Sequence, residues 1–205
     1  MTPTAWPQTL WIVRHGQSAG NVARDAAEAA GQAVIDISFR DIDTPLSDLG
    51  VEQSRALGRW FGSLPPEQRP QVVLCSPYLR ALETARIVAE SAGGWGGAVR
   101  TRQDERLREK EFGILDRLTR HGIAQKHPEL DAQRGHVGKF YFRPPGGESW
   151  CDVILRLRSL TEMLTREYPG QRVLVVAHQV VVNCMRYLLE EMDEQLCSAE
   201  RFRAA

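Results

Sequence analysis

Short apolar runs, separated by amphipathic helical patterns, constrain the fold of this chain more than any other feature. The runs cover residues 9–13 (TLWIV), 72–75 (VVLC) and 173–177 (VLVVA). They lack the polar alternation of half-exposed strands, which is typical of parallel strands that are covered on both faces. Residues 98–101 are expected to add a short edge strand. The pattern predicts an α/β fold of three layers, in which helices cover both faces of a mostly parallel sheet.

Between the predicted strands, apolar residues recur at helical spacing along most of the chain. We expect helices at about residues 49–61, 77–92, 150–168 and 179–192. Segments 18–44 and 117–147 do not fit this alternation, and long connections in compact domains commonly form lids or insertions. A chain of 205 residues has the length of one domain. We therefore expect residues 1–205 to form one domain, with these two irregular segments as lids.

The composition argues against several classes of partner. Lys+Arg and Asp+Glu both total 26, so the net charge is zero, whereas a dedicated nucleic-acid-binding protein shows a basic excess. No apolar run approaches the roughly 20 residues of a membrane-spanning helix, and the first residues do not resemble a signal peptide. The four cysteines are scattered, which is typical of reduced thiols. These features predict a cytoplasmic protein that binds neither nucleic acid nor membrane.

Ionisable side chains follow the predicted strands directly. Arg14 and His15 follow the first strand, His178 follows the last, and Arg80 lies in the first turn of the helix after the second. The carboxyl ends of parallel strands meet at one edge of the sheet, where open α/β folds bind ligands. Two imidazoles, two guanidiniums and a helix N-terminus are suited to a phosphoryl group. The guanidiniums would also keep an adjacent imidazole neutral and nucleophilic.

Six short motifs occur in a fixed order along most of the chain. They are RHGQS (residues 14–18), DTPLS (43–47), SPYLRA (76–81), LRE (107–109), GGES (146–149) and VVAH (175–178). This ordered set resembles the histidine phosphatase superfamily, also called the phosphoglycerate mutase-like family. The resemblance spans about residues 9 to 190 and implies a phosphoglycerate mutase-like fold.

The resemblance implies a role for each matching residue. His15 would be the nucleophile that becomes phosphohistidine, and Glu109 would protonate the leaving oxygen and then activate water. Glu111 lies two positions further on and is the alternative proton donor, although the spacing to Leu107 and Gly113 favours Glu109. The phosphoryl oxygens would be bound by Arg14, Asn21, Arg80 and His178. Of these groups, the two arginines and His178 would also stabilise charge in the transition state.

Three positions suggest how this chain differs from many members of the family. Gln17 stands where many members have Glu, and Gln179 stands where most have Gly. The His-Gln pair and the PGGES motif are more similar to the fructose-2,6-bisphosphatase branch than to the mutases. That branch has a substrate-binding arginine at the position of Arg143. We expect Gln17, Arg143 and Gln179 to contact the substrate; the alternatives are that Gln17 holds a loop and that Arg143 is a solvated loop residue.

These observations favour a phosphatase that hydrolyses small phosphorylated metabolites through a phosphohistidine. A cofactor-dependent mutase, which returns the phosphoryl group to another oxygen, is the alternative, and a catalytically silent protein that binds a phosphorylated ligand is a third hypothesis. The resemblance implies neither a metal nor a cofactor, because the arginines supply the positive charge. The remaining histidines, His121, His127 and His136, are not spaced like metal ligands. A homodimer is compatible with the sequence.

Overall fold

A four-stranded parallel sheet organises the chain. The computed structural model describes residues 6–94, 99–190 and 192–199. Within them, the strand order is β1-β4-β2-β3, and each pair of neighbours is parallel. The strands are β1 (Thr9–Arg14), β2 (Val72–Cys75), β3 (Arg100–Gln103) and β4 (Arg172–Ala177). This arrangement confirms the predicted α/β class.

Helices cover both faces of this sheet. The helices of the described residues are α1 (Ala19–Ala29), α2 (Asp48–Ser63), α3 (Leu79–Ser91), α4 (Arg120–Lys126), α5 (Pro128–Val137), α6 (Trp150–Glu167), α7 (Gln179–Leu189) and α8 (Glu194–Ala199). On one face of the sheet, Val176 packs with Val88 of α3 and Phe61 of α2. On the other face, Val175 packs with Leu157 of α6. Alternate residues of β4 therefore enter two different apolar cores, which explains why its sequence is apolar throughout.

The edge strand β3 lies two residues further along the chain than the sequence predicted. We expected it at 98–101, of which residue 98 lies outside the described residues, and it is found at Arg100–Gln103. Its side chains are exposed and polar, and its backbone pairs with β2. An edge strand of this kind is held by backbone hydrogen bonds on one side only, so no apolar pattern marks its start.

The two segments expected to be irregular contain helices, so that expectation was wrong. Helix α1 lies in segment 18–44, and α4 and α5 lie in segment 117–147. Helix α1 buries only Ala27, and α5 buries none of its residues, so neither shows the apolar stripe of a core helix. Local signals start them instead: Ser18 forms a capping box with Asn21, and Pro128 occupies the first turn of α5.

The two segments also bind each other. An antiparallel bridge joins Val34 to Leu118, and the Ile35 N–H donates to the Arg117 carbonyl over 2.8 Å. Arg117 has a φ of 59°, in the left-handed region that an arginine rarely adopts. Its guanidinium donates to the backbone carbonyls of residues 37 and 39. The second segment therefore holds the first segment in place beside the carboxyl edge of the sheet.

No helix among the described residues has the length and apolar character required to cross a bilayer.

Candidate active site

Two histidines meet at the carboxyl ends of adjacent strands. Strand β1 ends at Arg14 opposite Ala177, the last residue of β4, because the two strands pair in parallel register. His15 and His178 are the next residues, and the His15 N–H donates to the Ala177 carbonyl over 2.9 Å. Both side chains are buried, and their ring centroids lie 5.1 Å apart. The topology thus brings together two imidazoles from opposite ends of the chain.

The surroundings of His15 determine its tautomer. Its Nδ1 lies 2.6 Å from the Gly16 carbonyl oxygen, which can only accept, so Nδ1 carries the hydrogen. Its Nε2 accepts from Arg80 Nε over 3.2 Å and therefore presents a lone pair. Burial lowers the pKa of His15 to about 3, and the neighbouring Arg80 and Arg14 guanidiniums lower it as well. At neutral pH, His15 is an uncharged imidazole whose Nε2 lone pair accepts from Arg80 and becomes available as a nucleophile when that hydrogen bond is released.

Two buried nitrogens beside His15 have no hydrogen-bond partner among the described residues: the Arg14 Nε, which is a donor, and the ring nitrogen Nδ1 of His178. His178 Nε2 lies 2.8 Å from the Ser76 hydroxyl, and an Arg14 terminal nitrogen donates to the Asn21 side-chain oxygen over 3.2 Å. Burial, followed by the nearby His15 and arginine groups, lowers the pKa of His178 well below its usual value. Buried polar groups are normally hydrogen-bonded. An anionic ligand would supply the Arg14 N–H with an acceptor, and it would do the same for His178 Nδ1 when that nitrogen carries the ring hydrogen.

Arg80 uses all three of its guanidinium nitrogens. Its Nε donates to His15, while the two terminal nitrogens donate to both carboxylate oxygens of Asp41 over 3.0 and 3.2 Å. One terminal nitrogen also donates to the Asp41 backbone carbonyl over 2.6 Å. The guanidinium carbon lies 4.9 Å from the centre of the Tyr78 ring. Arg80 is therefore a buried cation whose fork is already paired with a carboxylate.

Glu109 is the carboxyl group nearest to the imidazoles. Its Oε2 lies 3.8 Å from His178 Nδ1, and its Oε1 accepts from the Lys110 backbone N–H over 2.9 Å. Burial raises the pKa of Glu109, although the Lys110 N–H and the site arginines act in the opposite direction. Glu111 is exposed and accepts a hydrogen bond from the Tyr78 hydroxyl over 3.2 Å. Of the two candidate proton donors, Glu109 has the environment that favours a protonated carboxyl.

A buried ion pair supports the segment that carries Glu109. Arg156 of α6 pairs with Glu148 over 3.0 Å, and both side chains are about nine-tenths buried. The same guanidinium donates to the backbone carbonyls of Arg108 over 2.9 Å and of Glu109 over 3.3 Å. One guanidinium on the rigid helix α6 therefore binds three partners and fixes the position of the Glu109 backbone.

The three positions for which the resemblance implied substrate contacts bind neighbouring protein groups. The Gln17 side-chain oxygen accepts from the Ser47 hydroxyl over 2.8 Å. Arg143 pairs with Asp152 in the first turn of α6 over 2.9 Å. Gln179 donates to the side-chain oxygen of the asparagine one turn later in α7, also over 2.8 Å. Their roles toward a substrate stay predictions from the sequence.

Several residues of the site were not singled out by sequence reasoning. Ser76 and Tyr78 lie inside a recognised motif directly after β2, so the strand-end rule that found Arg80 also marks their position. Asp41 and Arg156 carry no such signal, because their partners are distant in the sequence and face them only after folding. Among the described residues, no group of three or more His, Cys, Asp and Glu side chains is arranged to hold a metal ion.

Comparison with protein families and curated proteins gives consistent results. The model of the histidine phosphatase superfamily (branch 1) matches residues 10–203. The 2,3-bisphosphoglycerate-dependent phosphoglycerate mutase of Rhizobium meliloti (strain 1021) is 30% identical over 190 residues, which are 91% of this chain and 80% of that protein. The 6-phosphofructo-2-kinase/fructose-2,6-bisphosphatase of Caenorhabditis elegans is 31% identical over 180 residues, or 87% of this chain. The chain spans about one third of that protein's length, 33%.

Solved structures show the same fold. The native structure of mycobacterial glucosyl-3-phosphoglycerate phosphatase has a TM-score of 0.69 and 27% identity, with 92% of this chain and 82% of that chain covered. Bacillus stearothermophilus YhfR has a TM-score of 0.71 and 26% identity, with 94% and 85% covered. The α-ribazole phosphatase from Shigella flexneri, at 23% identity and a TM-score of 0.74, shares the fold over 95% of this chain and 85% of that chain.

Proposed function

We propose, from the premise that this chain belongs to the histidine phosphatase superfamily, that it is a phosphomonoester hydrolase acting through a phosphohistidine on small phosphorylated substrates. One observation carries the proposal: the neutral His15 Nε2 lies in a buried site beside two arginines, next to an unpartnered guanidinium N–H and an unpartnered imidazole nitrogen. A neutral imidazole supplies the electron pair for attack on phosphorus. The guanidiniums supply charge where the phosphoryl oxygens would lie.

The first half of the reaction transfers the phosphoryl group to the protein. His15 Nε2 attacks phosphorus and forms an N–P bond, while the bond between phosphorus and the ester oxygen breaks. The proton of Glu109 passes to that oxygen, and the alcohol leaves. Arg14, Arg80 and His178 would hold the three remaining oxygens, with Asn21 positioning Arg14. Positioning and fixed charge are the main sources of catalysis in phosphoryl transfer.

The second half of the reaction releases phosphate. A water oxygen attacks the phosphohistidine phosphorus, and the Glu109 carboxylate accepts the water proton. The N–P bond breaks, inorganic phosphate forms, and His15 returns to its neutral state. Burial and the two guanidiniums lower the pKa of His15. The low pKa favours this step, because a less basic imidazole is a better leaving group. No step of this scheme requires a metal, and we propose that the arginines take its place.

The similarity to a phosphoglycerate mutase makes mutase activity the second candidate. Both activities share the transfer to His15 and differ in what accepts the phosphoryl group next. The deciding experiment incubates the protein with 3-phosphoglycerate and with p-nitrophenyl phosphate, in the presence of EDTA. We expect inorganic phosphate from p-nitrophenyl phosphate, and we expect any 3-phosphoglycerate that is consumed to yield inorganic phosphate and not 2-phosphoglycerate. Interconversion of 2- and 3-phosphoglycerate with little free phosphate would instead identify a mutase, and loss of activity in EDTA would contradict metal independence.

The proton donor is expected to set the alkaline side of the pH profile. A general acid works only when protonated, so activity on an alkyl phosphate should fall as pH rises past the pKa of Glu109, which burial raises. Glu109→Gln should lower kcat about 10²- to 10³-fold on an alkyl phosphate and remove this alkaline limb. The loss should be smaller on p-nitrophenyl phosphate, whose leaving group needs little protonation.

Glu111→Gln is the matched control for this pH measurement, since it removes the other candidate carboxylate two residues away. It should keep the alkaline limb and lose less than about tenfold in kcat. A profile that changes with Glu111→Gln and not with Glu109→Gln would reverse the assignment.

We also propose that the chain works as one histidine phosphatase domain in which segments 18–44 and 117–147 form a joined lid. The contacts of Arg117 with residues 37 and 39 and the bridge between Val34 and Leu118 support this proposal. A homodimer stays a prediction from the sequence, and sedimentation equilibrium tests it.

A further inference from the structure

An acidic side chain competes for the main phosphate-binding arginine. The carboxylate of Asp41 occupies both terminal nitrogens of Arg80, which are the groups a phosphoryl oxygen would use. The Arg80 side chain is 5% exposed, whereas that of Asp41 is 44% exposed, so the acid can move outward and the arginine cannot. The Asp41 backbone carbonyl would continue to accept from Arg80 after such a movement. The geometry is that of an internal ligand which a phosphoryl group must displace.

The same acid lies close to the proposed proton donor. Glu109 is the proposed proton donor and must lie next to the leaving oxygen. Asp41 is close enough to raise the pKa of Glu109 and of Tyr78, and Glu111 accepts from the Tyr78 hydroxyl. Three carboxyl groups therefore lie around Tyr78 and its neighbours: Glu111 on the Tyr78 hydroxyl, Asp41 on Arg80, and Glu109 beside His178.

The nearby basic side chains have other partners. Arg24 pairs with Asp25 over 3.0 Å, and the Arg117 guanidinium donates to two backbone carbonyls. The Lys110 ammonium lies over the Phe112 ring, and burial lowers the pKa of Lys110 to about 8. Arginines of the α6 region pair with acids, at Arg108, Arg143 and Arg156. Each of these cations already has a partner, so a second anionic group on a substrate would have to displace that partner in order to bind the cation.

We propose that Asp41 is a specificity-determining residue, which makes the site select monoesters whose alcohol carries no carboxylate or second phosphate beside the ester. This inference rests on the proposed phosphatase function. Phosphoglycerates and bisphosphates would then be poor substrates, because carboxylates of the site repel their second negative charge even where the shape of the site would admit them. Neutral polyol phosphates are the class that fits, since their hydroxyl groups can donate to the three carboxyl groups.

The lid contacts explain how Asp41 keeps its position. The Arg117 guanidinium donates to the Phe39 carbonyl over 2.7 Å, two residues before Asp41. Asp41 also begins a short 3₁₀ turn, Asp41–Asp43, that leads into the DTPLS motif. The backbone is thus anchored on both sides of Asp41, so its side chain can swing away from Arg80 while the chain stays in place.

The test uses two substrates that differ at one group. Glycerol 3-phosphate and 3-phosphoglycerate have the same three-carbon frame, with a hydroxymethyl group in one where the other has a carboxylate. We expect wild-type kcat/KM to favour glycerol 3-phosphate by about tenfold or more, and Asp41→Asn to reduce this ratio about tenfold. Calorimetry should show that Asp41→Asn binds inorganic phosphate at least about fivefold more tightly, because the internal competitor has lost its charge.

Asp43→Asn is the control, because Asp43 lies in the same turn and pairs with the exposed Arg40. It should leave both the substrate ratio and the phosphate Kd within about twofold of wild type. A substrate ratio that Asp41→Asn leaves unchanged overturns the proposal, and so does phosphate binding that weakens. If the wild type hydrolyses neither ester, the proposed function fails on its own; the ratio of the Kd values of the two esters for wild type and Asp41→Asn then decides the role of Asp41 by the same criterion.

Discussion

His15→Ala is expected to lower kcat/KM for phosphomonoesters by about 10⁴-fold or more and to abolish the phosphorylated protein intermediate. Alanine removes the Nε2 lone pair that faces the Arg80 side of the site, and no other described imidazole is in the same position. The neighbouring His178 cannot replace it, because its Nε2 is directed at the Ser76 hydroxyl. The measurements are turnover of p-nitrophenyl phosphate and rapid acid-free quenching with a ³²P-labelled ester.

The label in the wild type should be stable in base and lost in acid, which is the behaviour of a phosphoramidate and not of a phosphoserine. His136→Ala is the matched control, since this exposed histidine lies in the last turn of α5. It should keep wild-type turnover and labelling. Phosphate release that survives His15→Ala would show that water attacks the ester directly, and the phosphohistidine mechanism would have to be abandoned.

Gly50→Ala is expected to destabilise the fold by about 3 kcal/mol and to lower Tm by about 6–12 °C. Gly50 is buried in the first turn of α2, where its backbone contacts the residues that follow His15. A Cβ at this position would overlap the carbonyl oxygen of Gln17. Gly16 would in turn meet the Gly50 carbonyl if it were given a side chain. The two backbones can approach this closely only because both residues lack a Cβ.

Gly135→Ala is the control for this effect. Gly135 lies in the exposed α5, and a Cβ there would have no heavy atom within 4 Å. Alanine is the better helix former, so this variant should match the wild type or gain up to about 1 kcal/mol. Thermal unfolding followed by circular dichroism compares the three proteins. Equal Tm values for Gly50→Ala and wild type would mean that the loop after His15 can move away from α2 without cost.

The strand ends could be predicted from the sequence because two general rules act together there. Apolar runs mark buried parallel strands, and the residues after them meet at one edge, so the positions of His15, His178 and Arg80 follow without coordinates. The helices α2, α3, α6 and α7 could also be predicted, because each has a stripe of apolar residues at helical spacing. These helices all pack against the sheet, and such packing requires apolar residues at helical spacing, which is visible in the sequence.

The rest depends on contacts that leave no periodic trace. Helices α1, α4 and α5 bury few side chains or none, so burial against the sheet does not mark them in the sequence. The Arg80–Asp41 and Arg156–Glu109 contacts join residues 39 and 47 positions apart. A charged residue can pair with many partners in principle, and only the folded chain selects one. The sequence therefore indicated the groups of the candidate site, and it did not indicate the groups, such as Asp41 and Arg156, that restrain them.

The strand order also has a consequence for the newly made chain. Strand β1 pairs with β4 and with no other strand in the described part of the sheet, although nearly the whole chain separates them. A polypeptide still attached to the ribosome, complete up to α6, holds the proposed nucleophile, His15, after an unpaired strand and without the second imidazole of the site. Pairing over such a sequence distance forms late in folding. Unfinished translation products are therefore expected not to hydrolyse cellular phosphoesters. Phosphatase activity should appear only when β4 pairs with β1 and brings His178 into the site.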